Sequence, residues 1–399
     1  MQQDIKQYLL VTASYWAFTI TDGALRMLVV LYFHQLGYTP FEVASLFLLY
    51  EFFGVVTNLV GGWLAARLGL NTTMQLGLLL QVVALGSLAV DPSWLSVTYV
   101  MIAQALSGIA KDLNKMSAKS SIKLLVPKDA EGTLYKWVAI LTGSKNALKG
   151  AGFFLGAGLL SWIGFQDAML GMAITLVVVL GLGLVLLRKD LGKTKFKPKF
   201  NEIFSKSADV NRLSAARLFL FGARDVWFVV ALPVFLQMHL GWTHTQVGSF
   251  MAVWIIGYGL VQSFAPVITG IQKGKVPDGG TALFWVFLLS VVPLLIALGL
   301  WQSLDANYVV VVGLLVFGAL FAVNSSVHSY LIVAYADAEG VSLDVGFYYM
   351  SNAAGRLLGT VLSGAVFQFY GLEACLIVSS SFLLVTSGIS VKLPRRVRV

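Results

Sequence analysis

Charged side chains are scarce in this sequence. Asp, Glu, Lys and Arg make up 12% of its 399 residues, about half of their share in a soluble domain. The single cysteine, Cys375, excludes an intrachain disulfide and a metal site built from cysteines. Together with the high hydrophobic content of the chain, 58%, this scarcity of charge excludes a soluble enzyme, a disordered chain and a fibrous protein. No residue pattern indicates catalysis, a resident metal or a cofactor.

Hydrophobic residues dominate instead, at 58% of the chain. About 20 apolar residues in a helix cross the hydrocarbon core of a bilayer. Stretches of this length recur at residues 8–33, 41–66, 72–90, 94–118, 134–160, 165–187, 213–239, 245–270, 281–301, 307–335, 344–369 and 371–392. They predict an all-α membrane protein with twelve transmembrane helices. A membrane β-barrel is disfavoured, because its strands alternate apolar and polar residues.

Basic residues are distributed unequally among the predicted loops. With the N-terminus inside, the inner loops carry Arg67, Lys123, Lys128, Lys273 and Lys275. The outer loops carry no Lys or Arg. Because these residues concentrate on the cytoplasmic side of membrane proteins, we expect both termini in the cytoplasm. Topology then accounts for most of the net charge of +9, and no nucleic-acid partner is needed to explain it.

The sequence divides into two related halves joined by a basic segment. Residues 188–212 carry eight basic against three acidic side chains and predict a cytoplasmic linker between an N-terminal half, 1–187, and a C-terminal half, 213–399. A shift of 204 residues pairs the segment 36–39 with 240–243, and Tyr50 with Trp254. This single register predicts two pseudo-symmetric six-helix halves.

Two glycine-rich motifs are consistent with this organisation. Residues 62–69 read GWLAARLG, with Ala66 where the related signature has an acid, and Gly152 and Gly156 belong to a glycine pattern on the fifth helix. Both resemble motifs of the major facilitator superfamily. The resemblance implies a transporter that works by alternating access, and Ala66 lacks the carboxylate through which the family's charge relay runs.

The most informative residues are charged groups within the predicted helices. A charge at the centre of a membrane helix costs about 2.5–3.5 kcal/mol, so these groups are expected to face one another or a wet cavity. They comprise the cations Arg26, Lys111, Lys115, Lys145, Lys149, Arg224 and Arg356 and the acids Asp22, Glu51, Asp112 and Asp225. Seven cations against four acids predict a small anionic substrate with two or more negative charges.

Helical spacing places further polar residues beside these charges. Tyr15 shares a stripe with Asp22, Gln104 with Lys111, and Asn352 with Arg356, while His328 lies on the tenth helix. We therefore predict the substrate site from Tyr15, Arg26, Gln104, Lys111, Lys115, Lys145, Arg224, His328, Asn352 and Arg356, and ion-pair or proton sites at Asp22, Glu51, Asp112 and Asp225.

Structural roles for several of these charges remain open. Asp22 can neutralise Arg26 one turn away, and Asp112 can pair with Lys115 or another lysine. Asp225 can serve as a partner for another helix. Lys149 can extend its ammonium towards the cavity edge.

Two segments resemble a specific transporter family. Residues 15–28 (YWAFTITDGALRML) and 106–120 (LSGIAKDLNKMSAKS) are similar to the first and fourth helices of the ArsJ family, bacterial inner-membrane permeases that export organoarsenicals. The resemblance implies efflux of 1-arseno-3-phosphoglycerate, arsenate resistance, and glyceraldehyde-3-phosphate dehydrogenase as a functional partner. Arg26, Lys111, Lys115 and Lys145 would bind one end of this two-ended anion, and Arg224 and Arg356 the other. A monomer in the lipid bilayer is expected.

Two other transporter classes remain open. An organophosphate/phosphate exchanger also needs a cationic site. A proton-coupled drug exporter would use Asp22 or Glu51 against a lipophilic cation, which the surplus of cations disfavours.

Overall fold

The computed structural model describes residues 2–38, 43, 46–126, 131–187, 191–192, 207–338 and 340–395. Within these ranges the chain is helical and contains no β-strand. The helices are α1 (Gln2–Gln35), α2 (Leu48–Leu68), α3 (Leu70–Leu88), α4 (Val97–Leu125), α5 (Glu131–Leu186), α6 (Ala208–Phe228), α7 (Ala231–Met238), α8 (His244–Ile268), α9 (Gly279–Trp301), α10 (Ala306–Tyr335) and α11 (Val341–Ser390). Short 3₁₀ turns lie at Pro92–Trp94 and Ile271–Lys273.

The long helix α5 contains two membrane passes separated at Gly164. This glycine has φ 82° and ψ 178°, outside the helical region. The ring of Phe165 stacks on Tyr32 near the end of α1, at 4.2 Å between centroids. The Gln7 side chain, near the start of α1, donates to the carbonyl of Leu186 at 3.0 Å. The segment after Gly164 therefore runs antiparallel to α1.

Helix α11 reverses in the same way at Gly371, where φ is 78°. Before this glycine, the Ser363 hydroxyl accepts from the backbone N–H of Ala231 at 3.1 Å. After it, the Ser379 hydroxyl donates to the carbonyl of Ala223 at 2.6 Å. The second segment of α11 thus returns along α6.

These reversals reconcile the helix bounds with the predicted number of passes. Eight helical stretches are long and apolar enough to span a bilayer, with α6 and α7 forming one stretch, Ala208–Met238. The stretches in α5 and α11 each hold two passes. Helices α3 and α4 are not among these eight stretches, but with 19 and 29 residues they are long enough for the remaining two predicted passes. The prediction of an all-α membrane fold is confirmed within the described chain, and the helix lengths there accommodate the twelve predicted passes.

The packing divides the chain into two compact units. Unit 1 comprises Met1–Pro127, Ser144–Phe204 and Ala336–Met350, and unit 2 comprises Lys128–Gly143, Ser205–Tyr335 and Ser351–Val399. The boundaries predicted from sequence, 1–187 and 213–399, stay predictions. The predicted linker, 188–212, lies largely outside the described residues.

Each unit has its own apolar core. In unit 1, residues such as Leu28, Phe33 and Leu85 are completely buried together. In unit 2, Trp227 packs edge-on against Phe317, with 5.1 Å between ring centroids, and Phe317 stacks on Phe321 at 5.6 Å. Polar and charged side chains within the spans must therefore find partners in these apolar surroundings.

Backbone geometry at matching glycines agrees with the internal repeat. Gly37 and Gly241, equivalent under the shift of 204 residues, have φ values of 89° and 69°. Gly164 and Gly371 occupy matching reversals. A positive φ is readily adopted only by glycine, so each pair preserves the same turn.

Gly152 lets α5 approach α1, and its replacement tests this contact. A Cβ atom at Gly152 would lie 2.6 Å from the carbonyl of Ile20, whereas one at Gly171, also on α5, would meet nothing within 4 Å. We expect Gly152→Ala to lower the free energy of unfolding by about 1–3 kcal/mol through overpacking. Gly171→Ala should be neutral or stabilise by up to about 1 kcal/mol through helix propensity. Unfolding in detergent micelles measures both, and equal stabilities would contradict the close contact.

Candidate functional site

Charged side chains from four helices of unit 1 form a connected group. This group, the unit 1 cluster, consists of Asp22 and Arg26 on α1, Tyr50 and Glu51 on α2, Lys111, Asp112 and Lys115 on α4, and Lys149 on α5. Its members come from widely separated parts of the sequence, so tertiary packing, and not local sequence, assembles it.

Glycines bring α2 and α4 close enough for these contacts. A Cβ atom at Gly108 on α4 would lie 2.5 Å from the carbonyl oxygen of Tyr50. A Cβ at Gly54 would lie 3.0 Å from Oδ2 of Asp112 and 3.7 Å from Nζ of Lys111. Larger residues at these positions would displace the charged groups.

Asp22 and Glu51 each pair with a cation on a different helix. Nη2 of Arg26 donates to Oε1 of Glu51 at 2.6 Å. Oδ2 of Asp22 lies 3.5 Å from Nζ of Lys149. These ion pairs join α1 to α2 and to α5. Asp22 also remains within electrostatic range of Arg26, but the shortest contact of Arg26 is with Glu51 and not with its neighbour on α1.

Tyr50 links these pairs to α4. Its hydroxyl donates to Oδ1 of Asp22 at 2.7 Å. Its ring centroid lies 4.3 Å from the guanidinium carbon of Arg26 and 4.0 Å from Nζ of Lys111. A completely buried tyrosine therefore contacts two cations and one carboxylate.

Asp112 is shared by two lysines on its own helix. Its Oδ2 lies 3.5 Å from Nζ of Lys111, and its Oδ1 accepts from Nζ of Lys115. The predicted pairing of Asp112 with Lys115 is therefore present, together with a second partner. One carboxylate cannot neutralise two ammonium groups.

Two further lysines extend the positive charge along the same helices. Lys119 on α4 donates to the hydroxyl of Tyr349, which also belongs to unit 1. Lys145 on α5 is half-buried one turn before Lys149. With these two, six cations stand against the three carboxylates Asp22, Glu51 and Asp112.

Several polar groups of unit 1 are buried without hydrogen-bond partners among the described residues. They include both polar atoms of the Gln104 side chain, the Tyr15 hydroxyl and the Ser107 hydroxyl. Tyr15 lies within electrostatic range of Asp22 and Asp112. These groups can donate to or accept from a bound solute.

Unit 2 holds a second, smaller group of charges. Asp225 is completely buried on α6, and its Oδ1 lies 2.6 Å from Nη2 of Arg224, while its Oδ2 lies 3.1 Å from Nε of Arg356 on α11. The expected partnership of Asp225 with another helix is thus present, and its sequence neighbour shares the carboxylate. The Arg224 guanidinium also lies 4.9 Å from the ring centroid of Phe221.

The remaining predicted residues of unit 2 lie around Arg217. Nε of Arg217 donates to Oδ1 of Asn352 at 2.9 Å. His328 is completely buried and lies within electrostatic range of Arg217. Asn352 therefore contacts a buried cation, Arg217, that is not among the predicted site residues.

Sequence reasoning also missed Tyr50, although two signals pointed to it. The residue precedes Glu51, and the internal repeat pairs it with Trp254. That tryptophan is likewise an aromatic anchor, with its indole N–H donating to the carbonyl of Leu314 at 3.0 Å. For Arg217, the spacing of seven residues from Arg224 was the available signal.

No group of three His, Cys, Asp or Glu side chains able to hold a metal ion occurs within the described ranges. The chemistry available in both units is hydrogen bonding and charge pairing with an anion, through guanidinium and ammonium donors.

The roles of the Tyr50 hydroxyl and ring can be separated by two substitutions. Tyr50→Phe removes the hydrogen bond to Asp22 and should destabilise the protein by about 1.5–3 kcal/mol, the range for bonds to charged groups. Tyr50→Leu also removes the cation–π contacts, with a further loss of about 0.5–2 kcal/mol. Equilibrium unfolding in detergent measures both differences.

Tyr99→Phe is the matched control, because the Tyr99 hydroxyl donates to a neutral acceptor, the carbonyl of Ser87, at 2.7 Å. It should cost about 0.5–1.5 kcal/mol. If Tyr50→Phe were no more destabilising than Tyr99→Phe, the bond to Asp22 would not be the stronger one.

Solved structures with this fold cover nearly the whole chain. The human organic anion transporter MFSD10 (TETRAN) is 15% identical, with a TM-score of 0.75 over 97% of this chain and 99% of that chain. A bacterial homologue of the iron transporter ferroportin, in the outward-facing state with soaked iron, is 14% identical, with a TM-score of 0.73 over 96% and 98%. A variant of the E. coli fucose:proton symporter FucP is 9% identical, with a TM-score of 0.76 over 97% and 98%.

Among curated proteins, no relative matches this chain. The family model described as Major Facilitator Superfamily matches residues 9–274, which is more than half of the chain. With its helical fold and its charged groups within membrane-spanning helices, the chain belongs to the Major Facilitator Superfamily and is a multi-pass membrane transporter.

Proposed function

We propose that this transporter exports a small, multiply anionic organoarsenical phosphate ester, 1-arseno-3-phosphoglycerate, and thereby confers resistance to arsenate. It would act in the bacterial inner membrane with both termini cytoplasmic. The observation that carries the proposal is the surplus of cations in unit 1, where Asp112 is shared by Lys111 and Lys115.

Electrostatic considerations favour a negatively charged substrate. An unpaired charge in a low-dielectric site is costly, and removal of one partner from a buried pair costs several kcal/mol. The unit 1 cluster together with Lys119 and Lys145 has six cations for three carboxylates, and a bound anion would add negative charge there. A lipophilic cation would increase the imbalance, which argues against a drug exporter.

The types of side chain suit a phosphate-like group. Lys111, Lys115 and Lys145 present ammonium point charges on flexible stems. Arg26 and Arg224 present planar guanidinium groups that recognise oxyanions with two parallel hydrogen bonds. Gln104 and Tyr15 add neutral donors, buried and without partners among the described residues.

The choice of an arsenic-containing ester comes from the resemblance of residues 15–28 and 106–120 to the ArsJ family. Lys111, Asp112 and Lys115 of the unit 1 cluster lie within the second of these segments. The similar solved structures support the fold alone. Their names include an organic anion transporter and a sugar symporter at comparable likeness, so they do not select a substrate.

A combined genetic and transport experiment tests the proposal. Arsenate-sensitive bacteria would express the chain with and without glyceraldehyde-3-phosphate dehydrogenase, and the arsenic retained in the cells would be measured. We expect resistance and low retention only when both proteins are present. Lys111→Gln should weaken substrate binding by about 10- to 150-fold, the equivalent of losing a charged hydrogen bond of about 1.5–3 kcal/mol.

Lys273→Gln is the control, because it removes the same charge from an exposed turn. If arsenic retention does not depend on the dehydrogenase, the arsenoester assignment is wrong. Counterflow of phosphate against a phosphorylated metabolite would then identify an organophosphate/phosphate exchanger, which the same cationic cluster would serve.

The energetics of export favour a uniporter. Outward movement of one negative charge across an inside-negative membrane gains about 2.3 kcal/mol per 100 mV, so a polyanion can leave without a coupling ion. In everted vesicles that make the ester from arsenate and the dehydrogenase reaction, we expect uptake to fall when the potential is collapsed and to persist when only the pH gradient is collapsed. Strict dependence on the pH gradient would instead indicate proton coupling at Asp22 or Glu51.

A further inference from the structure

A buried polar network surrounds Arg217 in unit 2, separate from the ion pairs of Asp225. Besides its bond to Asn352, Arg217 donates through Nη1 to the Ser325 hydroxyl at 3.2 Å. The same hydroxyl accepts from Nε2 of Gln262 at 3.2 Å. The guanidinium carbon lies 3.9 Å from the ring centroid of Phe221. Contacts from α6, α8, α10 and α11 thus fix the plane of a guanidinium that is 3% exposed.

Two polar side chains beside this network have no hydrogen-bond partner among the described residues. Both ring nitrogens of His328 are in this state, and so is the hydroxyl of Ser214. The residues are 0% and 1% exposed. His328 lies within electrostatic range of Arg217, and Ser214 precedes Arg217 by three positions, on the same face of α6.

Such orphaned groups are unusual in a folded protein. A buried donor without a partner is destabilising, because it has lost its bonds to water and gained none. Asn352 and Ser325 satisfy Arg217 on two sides, whereas nothing described satisfies the neighbouring imidazole or the hydroxyl. A solute that accepts hydrogen bonds would satisfy both.

We propose that Arg217, His328 and Ser214 form an oxyanion-binding subsite within unit 2, which takes a phosphate-type group of the transported anion. This inference rests on the proposed function and adds Arg217 and Ser214 to the residues of unit 2 that would contact substrate. The guanidinium, one imidazole N–H and one hydroxyl are all donors, and they complement the acceptor-only oxygens of a phosphate or arsenate ester.

The chemistry of the site excludes other ligands. The guanidinium of Arg217 is positively charged, so it repels a metal ion or an organic cation. A neutral sugar could form hydrogen bonds with the hydroxyl of Ser214 and the imidazole of His328, but it would not neutralise the positive charge of Arg217. The Arg217 guanidinium is held in one orientation by its contact with Phe221 and its bond to Asn352. A donor group held in this way suits recognition of a tetrahedral oxyanion.

Two substitutions with opposite effects on stability and affinity test the subsite. Ser214→Ala and His328→Leu each remove a polar group that is unsatisfied in the ligand-free protein, so the melting temperature without ligand should stay the same or rise. The affinity for 3-phosphoglycerate, a stable phosphate ester, should fall about tenfold or more. Calorimetric titration and thermal unfolding of the purified full-length protein in detergent provide both readouts.

Ser379→Ala is the matched control in the same unit. The Ser379 hydroxyl already donates to the carbonyl of Ala223 at 2.6 Å, so this variant should lower the melting temperature and leave the affinity unchanged. A role limited to packing or to bound water predicts wild-type affinity in Ser214→Ala and His328→Leu, and that result would overturn the subsite. So would a loss of affinity that follows melting temperature across all three variants.

The outcomes also separate this inference from the proposed function. If Lys111→Gln weakens binding of 3-phosphoglycerate and the two unit 2 variants do not, the subsite fails and the anion exporter stands. If the wild-type protein neither binds the ester nor lowers cellular arsenic, both fail.

Discussion

Inside a membrane, a charged side chain must find an opposite charge or a polar ligand, and this requirement organises the packing of unit 1. Glu51 holds Arg26 across α1 and α2 at 2.6 Å, and Asp22 holds Lys149 across α1 and α5 at 3.5 Å. Each carboxylate that joins two helices also constrains their spacing and register, because lipid offers a charge within a membrane-spanning segment no alternative partner.

The ion pairs in turn depend on glycines. Salt bridges and charge-assisted hydrogen bonds require atoms within about 4 Å, and helices separated by large side chains would hold the charges too far apart. Gly108 against Tyr50 and Gly152 against Ile20 allow close backbone approach. The glycine motif of α5 and the charged residues of α1 therefore belong to one packing arrangement.

Features that depend on neighbouring residues in the sequence could be predicted better than features that depend on residues far apart in the sequence. Runs of apolar residues predicted the all-helical membrane fold correctly, because hydrophobic length is a local property. The sequence suggested loops around Gly164 and Gly371. In the structure the helix continues up to each glycine, and a single residue with positive φ makes the turn. Lys111 and Asp112 could be predicted as site residues because they lie within a predicted membrane helix, which is also a local property.

The partners of the charges could not be predicted so well. Spacing along α1 favours a pair between Asp22 and Arg26, yet their closest partners are Lys149 and Glu51. Partner choice depends on which helices are neighbours, and a helix-local rule cannot supply this. Tyr50 and Arg217 were not predicted as site residues for the same reason: their contacts with Asp22 and Asn352 span 28 and 135 positions.

The shared carboxylates bear on how an anion carrier can release its substrate. A cation held only by substrate would be left unpaired after release, and the cost of burying it would oppose both release and the return of the empty protein. Asp112 contacts Lys111 and Lys115 on its own helix, and Asp225 contacts its sequence neighbour Arg224 and also Arg356. Because Asp112 and Asp225 are close in sequence to Lys111, Lys115 and Arg224, we expect these acids to stay near those cations throughout a transport cycle. In the proposed cycle the substrate therefore competes with these acids instead of entering an empty cationic site. This competition weakens substrate binding. It also keeps the positive charge of the empty carrier partly neutralised, and a uniporter needs this neutralisation in order to return without substrate.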